Sequence, residues 1–171
     1  MPVEGPGRRP FRLDAPLGYK TDMVEVWFYH LTRGSLEDTL PALVERTRAR
    51  GWKAVIRVGT AERMAALDDL LWTYDDESFL AHGTASEPDA QVQPVLLTTA
   101  DGLPNDADVL FLADSAPLPG EWPRERVIML FDGADPDALE HARAAWKEAI
   151  TLVHPVQYWQ QDDSGRWSRK A

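Results

Sequence analysis

Apolar residues along this chain fall into two recurring patterns. Some form short, nearly unbroken runs, which are typical of strands covered on both faces of a sheet. Others recur every three or four positions, as they do on the buried face of an amphipathic helix. The unbroken runs predict strands over residues 24–31, 53–58, 94–99, 108–112 and 126–131.

The first helix is predicted to follow Ser35. Asp38 stands three residues later, and this pair resembles a capping box, in which each side chain satisfies a backbone N–H of the first turn. Pro41 would remove a hydrogen bond inside such a helix, so the helix either begins near Thr39 or is kinked at the proline. Its predicted buried face is formed by Leu36, Leu40, Leu43 and Thr47.

Two further helices follow from the same spacing. The second ends at Trp72, and its apolar face is formed by Met64, Leu67, Leu70 and Leu71. The third begins with Asp135 as its cap and Pro136 in its first turn, and it extends over residues 137–150. One side of this third helix is predicted to carry Leu139, Ala142, Trp146 and Ile150, with Arg143 next to them.

Strands that alternate with helices across short connections predict an α/β fold. We expect an open, mostly parallel sheet flanked by helices, which is a three-layer, Rossmann-like α/β/α arrangement. The strands at 108–112 and 126–131 have no helix between them, so that part of the sheet is joined by a loop crossover or is antiparallel. Residues 84–93 are predicted to form a loop, and residues 156–170 a C-terminal hairpin with Gly165 in its turn.

The length of 171 residues suits one domain, which we assign to residues 23–171. Residues 1–22 are rich in Pro and Gly without any period, which favours a flexible leader or a non-native start. The chain has no cysteine and no apolar run close to the ~20 residues of a membrane span, so we expect a cytoplasmic protein without a membrane segment. The net charge of −10 argues against direct contact with the DNA backbone.

No motif for catalysis or for a cofactor is apparent. The loops after the first two strands lack the glycine patterns that hold nucleotide phosphates, and the four histidines lack the spacing of a zinc site. We therefore expect no cofactor, no metal and no catalytic residue. An alternative stays open, namely an enzyme on a nucleotide-binding α/β fold that uses His30 or the acidic loop around Asp75.

Two large aromatic residues, Trp72 and Phe79, flank that acidic loop. Such rings either close the end of the second helix against the sheet or form the walls of a surface pocket for the apolar residue of a partner. The spacing alone does not separate these two interpretations.

Three segments resemble a known family when they are taken in order. They are FYHL in the first strand, LDDLLWTYDDESFLAHG around Trp72, and HARAAWK in the third helix. Together they are similar to the chi subunit of bacterial DNA polymerase III, a small accessory protein of the clamp loader. The resemblance covers about residues 23–171, and its most specific part is L-D-x-x-L-W followed by E-S-F-x-x-H.

The resemblance implies a non-catalytic adaptor. Proteins of this family link the polymerase assembly to single-stranded DNA-binding protein by binding its acidic C-terminal tail, which ends in phenylalanine, and they bind the psi subunit where a psi exists. Their contact with DNA is thus indirect. The family's tail pocket falls here on Trp72, Phe79, Arg143 and Trp146. A second basic residue of the family falls on Leu139, so either tail binding is weaker here or Lys147 or another neighbour supplies the charge.

The chemistry of such a tail leads to a geometric expectation. A terminal phenylalanine needs an apolar slot, which Trp72 and Phe79 would supply, and its carboxylate needs a fixed cation such as Arg143. We therefore expect these three side chains, far apart in the sequence, to meet in one shallow socket at the surface.

Overall fold

One sheet of eight strands organises the part of the chain that the computed structural model describes, residues 23–171. The interpretations of residues 1–22 lie outside the described residues. The strands are β1 Glu25–Leu31, β2 Ala54–Arg57, β3 Gly83–Thr84, β4 Val95–Thr98, β5 Val109–Leu112, β6 Arg126–Asp132, β7 Val156–Gln161 and β8 Trp167–Arg169. The helices are α1 Leu36–Ala49, α2 Ala61–Thr73 and α3 Pro136–Thr151, with a short 3₁₀ helix at Ala90–Val92.

The spatial order of the strands is β3-β4-β2-β5-β6-β1-β7-β8. Neighbouring strands are parallel except for the antiparallel pair β7 and β8 at one edge. The predicted α/β class, the mostly parallel sheet and the C-terminal hairpin are therefore confirmed. β5 and β6 are parallel and are joined by a loop, which decides between the two alternatives left open for that connection.

The directions of the crossovers place the helices on opposite faces of the sheet. The connections through α1 and α2 move toward the β3 edge, whereas the connection through α3 moves from β6 toward the β8 edge. Because parallel crossovers are right-handed, opposite directions require opposite faces. We call these the α1/α2 face and the α3 face.

Each face has its own apolar core. The core of the α1/α2 face contains Leu40 of α1 and Leu67 of α2, packed on side chains such as Ile56. The core of the α3 face contains Ala142 of α3, packed on strand side chains such as Phe28. Alternate residues of each strand supply the two cores, as expected for a sheet covered on both sides.

The capping box of α1 forms as predicted. The Ser35 hydroxyl accepts the Asp38 N–H at 3.1 Å, and the Asp38 carboxylate accepts the Ser35 N–H at 3.3 Å. The helix therefore begins at Leu36 and continues through the buried Pro41, so the alternative start near Thr39 is wrong. A cap that satisfies the first turn outweighs the one hydrogen bond that the proline removes.

Two sequence-based predictions need correction. Residues 84–93 are not entirely a loop, because Gly83–Thr84 pairs with β4 and Ala90–Val92 forms a 3₁₀ turn. The fully buried residues of α3 are Ala138, Ala142, Ala145 and Ala149, of which the predicted face contained only Ala142. The predicted Leu139 and Trp146 are half-buried and pack against the same core. Ile150 is 51 % exposed, because the alanine stripe lets the helix approach the sheet on a neighbouring face.

Candidate functional site

Trp72 and Phe79 form an exposed aromatic pair at the end of α2. Trp72 is 48 % exposed and Phe79 is 80 % exposed, and their ring centroids lie 5.8 Å apart. Leu71 and Leu80, which precede and follow them, are buried in the α1/α2 core and close the end of the helix against the sheet. The two rings therefore do not serve as a core closure, and the structure brings them together at the surface.

A buried histidine supports this aromatic pair. The ring of His82 lies 4.1 Å from the ring of Trp72, centroid to centroid. Its Nδ1 faces the Leu80 carbonyl oxygen at 2.7 Å, and its Nε2 faces a carboxylate oxygen of Asp68 at 2.9 Å. Because both ring nitrogens have partners, the imidazole of His82 is fixed in place, and the ring of Trp72 packs against it.

The surroundings of the aromatic pair are acidic. The last turn of α2 has no basic residue, and the loop that follows carries Asp75, Asp76 and Glu77, all exposed. The Asp75 carboxylate accepts the Glu77 N–H at 2.9 Å, which orders this loop by a local side-chain turn. An acidic peptide would meet like charges here.

A second surface lies on α3. Trp146 is half-buried, and its ring packs against those of Phe28 at 5.2 Å and Tyr158 at 5.8 Å. Arg143 and Lys147 are exposed and stand four residues apart, one turn of the helix. Within residues 23–171, neither of these two cations forms an ion pair with a carboxylate.

Arg143 lies close enough to Tyr158 to act on its phenol. Burial raises the pKa of Tyr158 above its ordinary value, and the positive charge of Arg143 opposes that rise. Tyr158 also contacts the ring of Trp146, and Arg143 stands three residues before Trp146 on the same helix, so these side chains belong to one surface. We call Arg143, Trp146, Lys147, Ile150 and Tyr158 the α3 surface.

The two surfaces lie on opposite sides of the molecule. α2 packs beside β3 and β4, whereas α3 packs against β6, β1 and β7. Four inter-strand steps separate β4 from β1, which is roughly 19 Å at about 4.8 Å per step, and the sheet itself lies between the two helices. The predicted single socket is therefore wrong, because the handedness of the crossovers puts α2 and α3 on different faces.

The residues of the alternative enzymatic interpretation are engaged in local contacts. Nδ1 of His30 lies 2.6 Å from the Tyr158 hydroxyl, and burial lowers the pKa of His30 even though Asp132 acts in the opposite direction. A cleft of about 490 Å³ opens where β1 and β6 end. Arg63 in this cleft is paired with Glu37 at 2.9 Å and with Asp114 at 3.2 Å.

Among the described residues, no group of three or more His, Asp or Glu side chains is arranged to hold a metal ion. The same part of the chain contains no helix that is both long enough and apolar enough to cross a membrane.

Comparison with known proteins identifies the family. The family model described as "DNA polymerase III chi subunit, HolC" matches residues 23–157, most of the chain. The chain belongs to this chi-subunit family of DNA polymerase III. A curated relative, "Probable DNA polymerase III subunit chi" of Rickettsia prowazekii (strain Madrid E), is 28 % identical over 90 residues, which are 53 % of this chain and 54 % of the relative. The match thus spans about half the length of that chi protein.

A solved structure has a similar fold. The C-terminal domain of the DEAD-box protein Dbp5 superposes with a TM-score of 0.53 at 16 % identity, covering 80 % of this chain and 91 % of that domain. At this identity the likeness concerns the fold alone. It agrees with the parallel α/β sheet seen here and carries no statement about the chi family's role.

The sequence reasoning missed two members of the α3 surface. Tyr158 belongs to the predicted hairpin and has no predicted role, although its alternation with Gln157 and Trp159 along β7 indicates that it lies on the α3 face. Ile150 is the second, because the sequence puts it on the apolar side of α3 and gives it no role in binding. Its exposure depends on the alanine stripe, which the residue spacing of α3 does not distinguish from the predicted face.

Proposed function

We propose that this chi-family protein is a DNA replication accessory subunit that binds the acidic C-terminal tail of single-stranded DNA-binding protein through its α3 surface. In this way it links the clamp-loader and polymerase assembly to single-stranded DNA that is covered by this binding protein. The observation that carries the proposal is a pair of exposed cations, Arg143 and Lys147, beside the half-buried ring of Trp146. Neither cation has a carboxylate partner among residues 23–171.

The chemistry of the α3 surface suits a tail of this kind. The planar guanidinium of Arg143 can receive the terminal carboxylate through two parallel hydrogen bonds, and Lys147 adds a second positive charge for the acidic residues that precede it. Trp146 and the exposed Ile150 offer apolar area for the terminal phenyl ring. Lys147 thereby supplies the positive charge that is absent at Leu139, where the family has a basic residue.

The aromatic pair has a different role in this proposal. Trp72 and Phe79 expose large apolar rings within an acidic loop, which suits a neutral or basic protein surface better than an acidic tail. We assign them to contact with psi or with another component of the clamp loader. The protein then holds two partners on opposite faces and performs no reaction of its own.

Titration with a synthetic acidic peptide that ends in phenylalanine tests the tail contact. We expect saturable binding, measured by fluorescence anisotropy of the labelled peptide. Arg143→Glu should weaken this binding at least about tenfold, because it removes the two guanidinium hydrogen bonds and adds charge repulsion. Affinity should also fall as salt is raised, since the charges are exposed and screened. Trp72→Ala is the matched control on the opposite face and should leave peptide affinity unchanged.

Two results would contradict the assignment. If Trp72→Ala weakens peptide binding and Arg143→Glu does not, the tail binds beside α2 and the α3 surface has another partner. If the wild-type protein does not bind the peptide up to about millimolar concentration, the adaptor role itself fails, because a contact of −4 kcal/mol or weaker could not link two assemblies.

A further inference from the structure

A strip of aromatic rings crosses the sheet on the α1/α2 face near its β8 edge. It consists of Trp27 and Tyr29 of β1, Trp159 of β7 and Trp167 of β8. Successive ring centroids lie 5.9 Å apart from Trp27 to Trp159, 6.2 Å from Trp159 to Tyr29 and 4.9 Å from Tyr29 to Trp167. Trp159 and Tyr29 are nearly parallel, with an angle of 9° between their planes.

No described helix covers the outer part of this strip. α1 packs over β2 and β6, and α3 lies on the other face of the sheet. The three tryptophans are consequently half-buried, whereas Tyr29 between them is 5 % exposed. The strip therefore presents ring area to solvent at a place where strands are usually covered.

Arginines border the strip on both sides. Arg46 lies in the last turn of α1, and Arg50 is the residue that caps the helix; both are exposed. The Cζ of Arg50 lies 4.9 Å from the centroid of the Trp52 ring. In residues 23–171 neither arginine is within ion-pair distance of a carboxylate. Arg169 is the cross-strand partner of Trp159 in the β7–β8 hairpin, and it therefore lies on the same face of the sheet as that ring. Its Nε donates to the Ala171 carbonyl oxygen at 2.9 Å.

Arg46 and a further arginine, Arg126, act electrostatically on the rings. The Cζ of Arg126 lies 3.6 Å from the centroid of the Trp27 ring, and Arg126 also pairs with Glu25 at 3.3 Å. Burial raises the pKa of Tyr29, and the positive charges of Arg126 and Arg46 oppose that rise. The strip is thus locally basic in a protein of net charge −10.

We propose that this arginine-bordered aromatic strip is a direct binding surface for single-stranded DNA. Aromatic side chains that stack bases, flanked by cations that follow the phosphates, are the general means of binding single strands without reading sequence. The occupant follows from charge and ring complementarity together, because a single strand offers both phosphates and unpaired bases. DNA rather than RNA follows from membership in a family of DNA polymerase III subunits.

This proposal departs from the expectation that the protein meets DNA only indirectly. That expectation came from the family resemblance and from the net charge. The net charge averages over the whole surface, including acidic loops far from the strip. It is also separate from the proposed tail contact, since the strip and the α3 surface lie on opposite faces of the sheet.

Fluorescence anisotropy of a labelled dT oligonucleotide of about ten nucleotides, with the full-length protein at low salt, tests the proposal. We expect saturable binding that the double substitution Arg46→Glu with Arg50→Glu weakens at least about tenfold. For two lost phosphate contacts, the slope of log affinity against log salt should fall by about 1.4. Both side chains are exposed, so the variant should fold, and its thermal unfolding verifies this.

Arg143→Glu is the matched control, because a single reversal of this kind on the α3 surface changes net charge in the same direction without touching the strip. It should weaken binding of the acidic peptide at least about tenfold and leave the oligonucleotide affinity within about twofold. Arg46→Glu with Arg50→Glu should do the opposite. This reciprocal pattern separates a failure of the strip proposal from a failure of the tail proposal.

A second oligonucleotide tests the role of the rings. An abasic strand of the same length keeps the phosphates and removes the bases. It should bind at least about tenfold more weakly, because it has no base to stack on the rings. Equal binding of the abasic strand, unchanged binding by the double arginine variant, or no binding by the wild-type protein up to about millimolar concentration would each overturn the proposal. Loss of the acidic peptide in the double variant would assign the strip to the tail instead.

Discussion

Substitution of Gly133 by alanine isolates one contact near the carboxyl ends of β1 and β6. A Cβ atom at this position would lie 1.8 Å from Nε2 and 2.2 Å from Cδ2 of His30. The backbone at Gly133 is not in the left-handed region, so an alanine would meet no conformational penalty of its own. The effect of the substitution is therefore steric and depends on the imidazole.

The ring of His30 cannot move without cost. Its Nδ1 lies 2.6 Å from the Tyr158 hydroxyl, and its centroid lies 5.0 Å from that of Phe131. Overpacking of a tight site costs about 1–3 kcal/mol, and loss of one hydrogen bond costs about 0.5–1.5 kcal/mol. We expect Gly133→Ala to lower the free energy of unfolding by about 2–4 kcal/mol.

A double-mutant cycle with His30→Ala tests the cause, with urea unfolding as the assay. Without the imidazole, Gly133→Ala should no longer destabilise and should stabilise by about 0.4–1 kcal/mol, because alanine restricts the unfolded chain. The sign of the effect therefore reverses between the two backgrounds. A loss of the same size in both backgrounds, or a loss below about 0.5 kcal/mol in the wild type, would refute the reasoning.

Two further predictions concern stability. Val153 follows α3 with φ at 63° and is 70 % exposed, so Val153→Gly should stabilise by about 0.5–1 kcal/mol by relieving left-handed strain, and a loss of stability in thermal unfolding would contradict this. Burial lowers the pKa of His30 from 6.5, so the unfolded chain binds more protons just below pH 6.5 and stability should rise with pH through that window. His30→Gln should flatten this slope in urea titrations between about pH 5 and pH 7.5.

The strands and helix starts could be predicted because local chemistry decides them. Unbroken apolar runs became central strands, and the caps at Ser35 and Asp135 formed as the sequence indicated. β3 could not be predicted, because its two residues, Gly83 and Thr84, carry no apolar pattern. They form a strand because the edge of β4 is open to backbone pairing. The buried stripe of α3 could not be predicted, because alanine is only weakly hydrophobic and its presence does not by itself indicate a buried face. Its small side chain nevertheless lets the helix approach the sheet closely.

The candidate site could be predicted only in part, since residue types are local and their convergence is not. The pairs Trp72 with Phe79 and Arg143 with Trp146 are each close in sequence, and each pair shares a surface. Their assignment to one socket required knowledge of which face each helix occupies. That face is set by strand order, which no spacing within a single segment reveals.

The order of the strands also explains how an acidic protein can present two basic surfaces. Because α1 and α2 return toward β3 while α3 returns toward β8, no helix within residues 23–171 covers the α1/α2 face near β8. Its three tryptophans are half-buried, and Arg46 and Arg50 are exposed. The α3 surface lies behind the same strands, with the sheet between the two. A partner bound to Arg143 and a strand bound along Trp159 would therefore not compete for space, whereas the acidic groups around Trp72 lie several strands away.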